Sequence, residues 1–337
     1  MKLQERLQAF LEENGYTYTR LNPLETKKQL DSLRVRKTDK IDAEKLAQSQ
    51  FVLNRKPTYV QEEVYQDLRD LSRFYQNLTE DTVRTKNRLH KVLQVTFPEI
   101  ESILSAPTGE QYWQLVRAFP SKAFVLEVSE MELTASIQQS TAKRISDKRV
   151  AYLVGKLIEL AKQSYCATKK TSPMIEEVRY YARELQRLTE RRQTILEKMV
   201  ELAKPLPEYE ILLSIPGIAE TTATSIIGEL GDIRRFQSSL PIKSTPLLEL
   251  ISDTTNLETF WLKNTSPKIL FKMIHNIASA SHTEPCHITD FYEKRKRQSQ
   301  TTSTKPHTIA SIHRLIRTMY YLITHNKLYD YTLTQNH

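Results

Sequence analysis

Glycine is scarce in this chain, and its distribution limits which folds the chain can adopt. Only six of the 337 residues are glycine, and none follows Gly231. Tight turns with positive φ normally use glycine, so such turns are hard to build after that position. The distribution favours a mainly α protein, in which helices are joined without tight β-turns.

Two long stretches carry apolar residues at the spacing of helices. Residues 60–97 place Val64, Leu68, Leu71, Tyr75 and Leu78 three and four positions apart, and residues 175–202 continue the pattern. In the second stretch the repeating residues are Val178, Leu185, Leu188, Ile195, Met199 and Leu202. The spacing predicts two long helices that pack as a coiled-coil hairpin or a dimerisation arm. An ordinary helical bundle accounts for the same pattern.

The charge of the chain points to a polyanionic partner. It has 49 Lys and Arg against 40 Asp and Glu, a formal net charge of +9. Such a balance favours nucleic acid, although an anionic membrane surface fits the charge alone. No run of about 18 apolar residues predicts a membrane span. The first residues lack the apolar core of a signal peptide. The two cysteines, Cys166 and Cys286, lie far apart and indicate no disulfide framework. A cytoplasmic location is therefore expected.

A pair of carboxylates within a basic surrounding is the first candidate site. Asp39 and Asp42 are three residues apart, which puts both on one face of a helix. They could hold a divalent metal, or Asp39 could cap a helix with Asp42 as its partner three positions later. Four neighbouring residues are candidates for phosphate contacts: Arg34, Arg36, Lys37 and Lys40.

The residues before this pair predict part of an α/β domain. Residues 2–13 have the pattern of an amphipathic helix, and residues 24–33 indicate another helix after Asn22 and Pro23. Between them, residues 16–21 are rich in Tyr and Thr and predict a strand. One strand does not make a sheet, so this stretch is a fragment of a domain.

A Pro-Gly turn between two helical segments is the second candidate site. Residues 212–228 read as a helix, the turn Ile215-Pro216-Gly217, and a second helix with small residues on one face. This is the layout of a helix-hairpin-helix, whose turn can bind a DNA phosphate through backbone N–H groups near Gly217 and Ala219. A hairpin that only packs against its neighbours is the alternative.

Two further groups lie towards the C-terminus. The run Lys294-Arg295-Lys296-Arg297 could contact phosphates or form a solvated charged surface. His282, Cys286 and His287 match no closed zinc pattern, so we expect no zinc site there.

Several motifs, taken together in their order, resemble the DEDD insertion-sequence transposases of the IS110 class (the IS116/IS110/IS902-type family). The resemblance covers most of the chain. The motifs are Leu21-Asn22-Pro23, the stretch 36–43, Leu89-His90-Lys91-Val92-Leu93, Phe97-Pro98-Glu99, Ile215-Pro216-Gly217 and Lys305-Pro306-His307 before a final helix.

The resemblance implies a fold and an activity. An RNase H-like domain would supply four acidic residues that bind two Mg²⁺ ions, of which Asp39 and Asp42 match the last two. A coiled coil would lead to a C-terminal transposase domain with a serine nucleophile. The implied activity is DNA recombination directed by a guide RNA, with DNA and that RNA as partners and a homo-oligomer formed through the coiled coil.

The sequence departs from the family pattern in two places. The first two acids of the four would precede Met1, which predicts an N-terminal truncation. Residues 240–267 lose the pattern and contain no glycine, so the expected Ser-Gly is missing. A one-base shift of suitable codons turns residues 246–250 into Ala-Phe-Ile-Gly-Ile, which suggests an internal frameshift. Neither Ser252 nor Ser266 is therefore assigned as a nucleophile.

These observations predict a mainly α chain in three parts. Residues 1–56 are a remnant of an α/β RNase H-like domain, residues 57–205 are helical and coiled coil, and residues 206–337 are a helical transposase domain with the helix-hairpin-helix. The predicted function is that of a DNA-binding transposase that has lost catalysis. The alternatives are a non-catalytic nucleic-acid-binding protein and a helical oligomerisation protein.

Overall fold

The computed structural model describes residues 2–19, 39–53, 57–58, 60–165, 168–236, 274, 276–277, 285–298 and 303–332. Within these residues the protein is helical and contains no strand. The helices are α1 (Lys2–Glu13), α2 (Asp39–Leu53), α3 (Glu63–Thr96), α4 (Glu110–Ala118), α5 (Lys122–Leu126), α6 (Glu130–Gln139), α7 (Asp147–Gln163), α8 (Pro173–Ala203), α9 (Pro207–Leu213), α10 (Glu220–Leu230), α11 (His287–Gln298) and α12 (Lys305–Thr324). Short 3₁₀ helices cover Pro98–Ser102 and Ile233–Arg235.

The mainly α prediction is confirmed, and most predicted helices that fall in the described residues are present. The prediction of a strand is wrong for residues 16–19, which belong to no strand. One backbone hydrogen bond, from the Thr58 N–H to the Tyr18 carbonyl at 2.8 Å, crosses this segment. A strand needs a ladder of such bonds with a neighbour, and a high β-propensity does not supply one. The predicted helix at residues 24–33 lies outside the described residues.

The chain forms two compact units: Met1–Asp70 with Val200–His337, and Leu71–Met199. We call them the first and the second unit. Helices α3 and α8 each contribute residues to both. The predicted three-part division, the RNase H-like origin of residues 1–56 and the disrupted segment 240–267 stay predictions.

The second unit is built around one apolar core. Helix α7 packs against α5, α6 and the 3₁₀ helix at Pro98–Ser102, while α4 packs against α6. The last turns of α3 and the first half of α8 complete this core with Leu89, Leu93, Val178 and Leu185. Burying large aliphatic side chains contributes on the order of 1.5–3 kcal/mol each, so this core is the main source of stability of the unit.

Helices α3 and α8 run antiparallel where both lie in the second unit. The Arg192 Nη2 group donates a hydrogen bond to the Tyr75 Oη atom at 3.0 Å, and its guanidinium lies 5.1 Å from the centre of the Tyr75 ring. Further along α3, Leu89 and Leu93 share one buried core with Val178 and Leu185 from the first half of α8. Later positions of α3 therefore contact earlier positions of α8, as in an antiparallel pair. A coiled coil or a dimerisation arm stays a prediction.

In the first unit, α9 packs against α10 and α12, and α12 also packs against α11 and the 3₁₀ helix at Ile233–Arg235. The Glu208 carboxylate at the start of α9 is 2% exposed. It forms an ion pair with Arg234 and accepts a hydrogen bond from the Tyr65 Oη atom at 3.4 Å. Burial and then the Glu208 charge raise the pKa of Tyr65, so its phenol stays protonated and donates. This contact joins α3, α9 and the 3₁₀ helix.

Candidate nucleic-acid interface

The predicted acidic pair lies at the start of a helix. Helix α2 begins at Asp39, so its backbone carries Asp39 and Asp42 in the first turn and on one face. Lys40, between them, is exposed. The side chains of Asp39 and Asp42 are outside the described parts, as are three predicted phosphate-binding residues: Arg34, Arg36 and Lys37. The metal role and the capping role of the pair both stay predictions.

The described side chains form no metal site among themselves. Among them, no group of three or more His, Cys, Asp or Glu residues is placed to hold a metal ion. A two-metal centre requires more carboxylates than a single pair to neutralise and position both ions.

The second predicted motif forms two helices joined by a turn. Helix α9 ends at Leu213 and α10 begins at Glu220. In the turn, Gly217 has φ of +84°, and the Ile218 N–H donates to the Ile215 carbonyl at 3.1 Å. This positive φ explains why glycine occupies the turn. Phosphate binding by this hairpin stays a prediction.

One side of the turn is covered by protein backbone. A Cβ atom added to Gly217 would lie 2.6 Å from the Ile277 Cα atom and 2.8 Å from the Asn276 carbonyl oxygen. Both positions, like the hairpin, belong to the first unit. Gly217 is therefore needed for close packing as well as for its φ, and this face of the turn supports the alternative of a packed hairpin.

The start of α10 is open but acidic. Ala219 and Glu220 are exposed, and Ala219 has no side chain to cap the helix. The Tyr209 Oη group donates to the Glu220 carboxylate at 3.4 Å. A helix N-terminus favours negative charge, and here the Glu220 carboxylate already provides it. A phosphate at this end would also be repelled by that carboxylate.

The predicted basic run is exposed and has a neighbour that the sequence pattern did not reveal. Residues 294–297 form the last turn of α11, where positive charge is favourable to the helix dipole. The Arg295 guanidinium lies 5.6 Å from the centre of the Phe291 ring, and the Arg314 guanidinium from α12 lies 4.9 Å from it. Arg314 therefore extends the positive surface onto α12. The sequence gave no sign of this, because Arg314 lies 17 positions after Arg297.

His287, which the sequence grouped with Cys286, is part of a hydrogen-bonded cluster. Its Nδ1 atom is 2.8 Å from the Tyr329 Oη atom, and its Nε2 atom is 3.2 Å from the Thr318 hydroxyl. Burial, and after it the Arg314 charge, lowers the pKa of His287 to about 4. The ring is therefore neutral at pH 7 and ties α11 to α12 and to the segment that follows.

A second buried histidine differs from His287. His307, at the start of α12, is 5% exposed, and neither of its ring nitrogens has a hydrogen-bond partner within the described structure. A buried polar group without a partner is costly, whereas the two hydroxyl partners of His287 offset its burial. The two imidazoles thus contribute differently to the same unit.

Comparison with protein families gives two matches in separate parts of the chain. Residues 2–98 match the DEDD transposase family of the IS110 type, and residues 209–244 match the transposase IS116/IS110/IS902 family. The first match includes α1, α2 and α3, and the second includes most of α9, the turn and α10. No curated protein matched the sequence. No helix in the described ranges is both long and apolar enough to cross a membrane.

Proposed function

Because the chain belongs to the IS116/IS110/IS902 family of transposases, we propose that it binds the DNA of an insertion sequence without carrying out strand exchange. The observation that carries this proposal is the pair of family matches, which follow one another in one chain at residues 2–98 and 209–244. The net charge of +9 supports DNA as the partner.

The lack of catalysis is inferred from the residues of the C-terminal part. The family resemblance calls for a nucleophilic serine followed by glycine, and this chain has no glycine after Gly231. A serine nucleophile depends on an activated and well-placed hydroxyl, so loss of its local sequence removes that chemistry. Guide RNA is proposed as a second partner from the same resemblance.

Duplex binding by the full chain tests the first half of the proposal. Labelled duplexes that carry the ends of the element are titrated at several salt concentrations. We expect affinity to fall steeply as salt rises, because each phosphate contact releases condensed counterions. Affinity that is immeasurable at low salt, or that does not respond to salt, contradicts DNA binding.

Strand exchange tests the second half. Donor and target DNA are incubated with the chain, Mg²⁺ and the RNA transcribed from the element. We expect no joined product. Any recombinant junction that depends on the protein would show that catalysis is retained.

Self-association is a second candidate function, and one observation favours it. Several large apolar side chains of the long helices are exposed, among them Phe74 and Val83 on α3 and Tyr180 on α8. Exposed apolar side chains mark an association surface where they form one contiguous patch, which a second copy of the chain would cover. Sedimentation of the full chain distinguishes the two: a stable oligomer that retains no DNA or RNA favours an oligomerisation protein.

A further inference from the structure

A group of cations and aromatic rings in the second unit lies outside both segments that match the family. We call it the Phe124 cluster. It brings together α5, the loop after α7 and the second turn of α8. Its members are Lys122, Phe124, Tyr165, Lys170 and Arg179.

Two cations meet on one aromatic ring. The Lys170 Nζ atom lies 4.8 Å from the centre of the Phe124 ring, and the Arg179 Cζ atom lies 4.9 Å from it. Attraction to the ring offsets part of the repulsion between the two charges. One carboxylate, that of Glu127, pairs with Lys170. With Lys122, the cluster and its acid carry three positive charges and one negative charge, so a bound anion would be stabilised.

An open aromatic ring lies beside Lys122, which stands two residues before Phe124 in α5. Tyr165 is 96% exposed. The Lys122 Nζ group donates a hydrogen bond to the Ser164 carbonyl at 2.8 Å and lies 5.9 Å from the centre of the Tyr165 ring. The carbonyl therefore fixes the ammonium beside the ring. Exposing a large ring in this way forgoes the stabilisation that burial would bring, which leaves the ring available to a partner.

We propose that the Phe124 cluster binds a single strand of nucleic acid. A base stacks on the ring of Tyr165, and the neighbouring phosphates lie against Lys122, Lys170 and Arg179. Proteins that bind single strands combine aromatic stacking with a positive surface in this way. Bases in a duplex are stacked on each other, so an isolated ring favours an unpaired strand. This inference rests on the proposed function and adds a surface for single strands to it.

Fluorescence anisotropy with the full chain and labelled 20-nucleotide oligo(dT) and oligo(rU) tests the proposal. Replacing Tyr165 by Ala should weaken binding by a factor between about 5 and about 150, because stacking on one aromatic ring contributes about 1–3 kcal/mol per base. The Tyr165→Phe variant keeps the ring and should restore most of the affinity. Comparing the two oligonucleotides shows whether the sugar matters.

The charges are tested by salt dependence. Replacing Lys170 by Gln should lower the slope of log affinity against log salt by about 0.7, as expected when one phosphate contact to a single strand is lost. Lys122→Gln should do the same. Neither position lies in the apolar core, and circular dichroism with a thermal melt checks that each variant folds.

Tyr152 provides a matched control in the same unit. It is 55% exposed and the Arg149 guanidinium lies 5.1 Å from its ring centre, but it belongs to the first turns of α7. Tyr152→Ala should bind both oligonucleotides like the unchanged chain. If exposed tyrosines on this surface acted without specificity, both alanine variants would lose affinity equally, and the proposal would be wrong.

Other outcomes separate this inference from the proposed function. Duplex binding without single-strand binding overturns the role of the cluster and leaves the proposed function intact. Single-strand binding that is unchanged in Tyr165→Ala and Lys170→Gln also overturns it. If poly-glutamate binds as tightly as the oligonucleotides and loses affinity in the same variants, the cluster recognises acidic protein chains instead. Single-strand binding without duplex binding supports the cluster and contradicts the proposed function.

Discussion

The hairpin turn of the first unit and the Phe124 cluster of the second unit differ in exposure and in charge. At the turn, Gly217 packs against backbone and the exposed start of α10 carries Glu220. In the cluster, Tyr165 is open and three cations outnumber one carboxylate. A motif that matches a nucleic-acid-binding pattern can thus be covered on one side and acidic on the other, whereas a surface without a motif can be open and positive. The following predictions test this difference.

The largest effect is expected at the turn. Gly217→Ala should destabilise the first unit by about 2 kcal/mol or more, because the new Cβ would lie 2.6 Å from the Ile277 Cα atom and φ is +84°. Hydrogen exchange followed by mass spectrometry, read on peptides from 207–230, measures the loss. Unchanged protection in those peptides would show that the turn is open rather than packed.

The next effect is a dependence on pH in the same unit. The pKa of His287 is lowered to about 4 from an ordinary value of 6.5. Between these values the unfolded imidazole binds a proton that the folded one does not. Stability of the first unit should therefore be highest above pH 6.5 and fall as the pH drops from 6.5 to 4.

Replacing His287 by Gln checks the cause of that dependence. Urea unfolding at several pH values, followed by exchange of peptides from α11 and α12, should show a flatter pH profile in the variant. Peptides from the second unit serve as the internal reference. A variant that keeps the full pH response would assign the response to another group.

In the second unit, replacing a glycine by alanine should raise the stability, whereas Gly217→Ala should lower it in the first unit. Gly155 lies in the middle of α7, and a Cβ added there meets nothing within 4 Å. Gly155→Ala should stabilise the second unit by about 0.5–1 kcal/mol, because alanine loses less backbone entropy in a helix. Urea unfolding of the full chain, with exchange of α7 peptides, gives the measurement. Destabilisation would mean that another group approaches this position.

The smallest effect concerns the charge at the start of α10. Glu220→Gln removes a negative charge that is worth about 0.3–1 kcal/mol at a helix N-terminus. If the hairpin contacts DNA, duplex affinity should rise by a factor of about 2–5, since the repulsion of phosphate is removed. Glu210→Gln on α9, another exposed acid of the hairpin, is the control. Equal gains in both variants would indicate a general charge effect and no specific contact.

The helices could be predicted from the sequence because their signal is local. The apolar repeat set the expected limits of the long helices at 60–97 and 175–202, and the structure has Glu63–Thr96 and Pro173–Ala203. The strand at residues 16–19 was wrong because strand formation depends on a partner elsewhere in the chain. Periodicity contains no information about such partners.

The sites were harder to predict for the same reason. Asp39, Asp42 and Gly217 were found because each belongs to a short motif. Residues of the Phe124 cluster are spread over positions 122–179 and meet only through the packing of three segments. Arg314 joins the basic end of α11 in a similar way. Charge and spacing along the chain do not report contacts of this kind.

The buried stripe of α3 has a consequence for how the length of the two long helices can vary. From Leu78 to Thr96 it contains four aliphatic residues and three threonines, and the Thr82 hydroxyl donates a hydrogen bond to the Leu78 carbonyl of its own helix. Because this hydroxyl is bonded within its own helix, it does not fix the alignment of α3 with α8. The hydrogen bond from Arg192 to Tyr75 does join the two helices, and a directional polar contact of this kind sets the register in other helix pairs. Insertion of one heptad in each helix could then lengthen the pair while preserving its alignment.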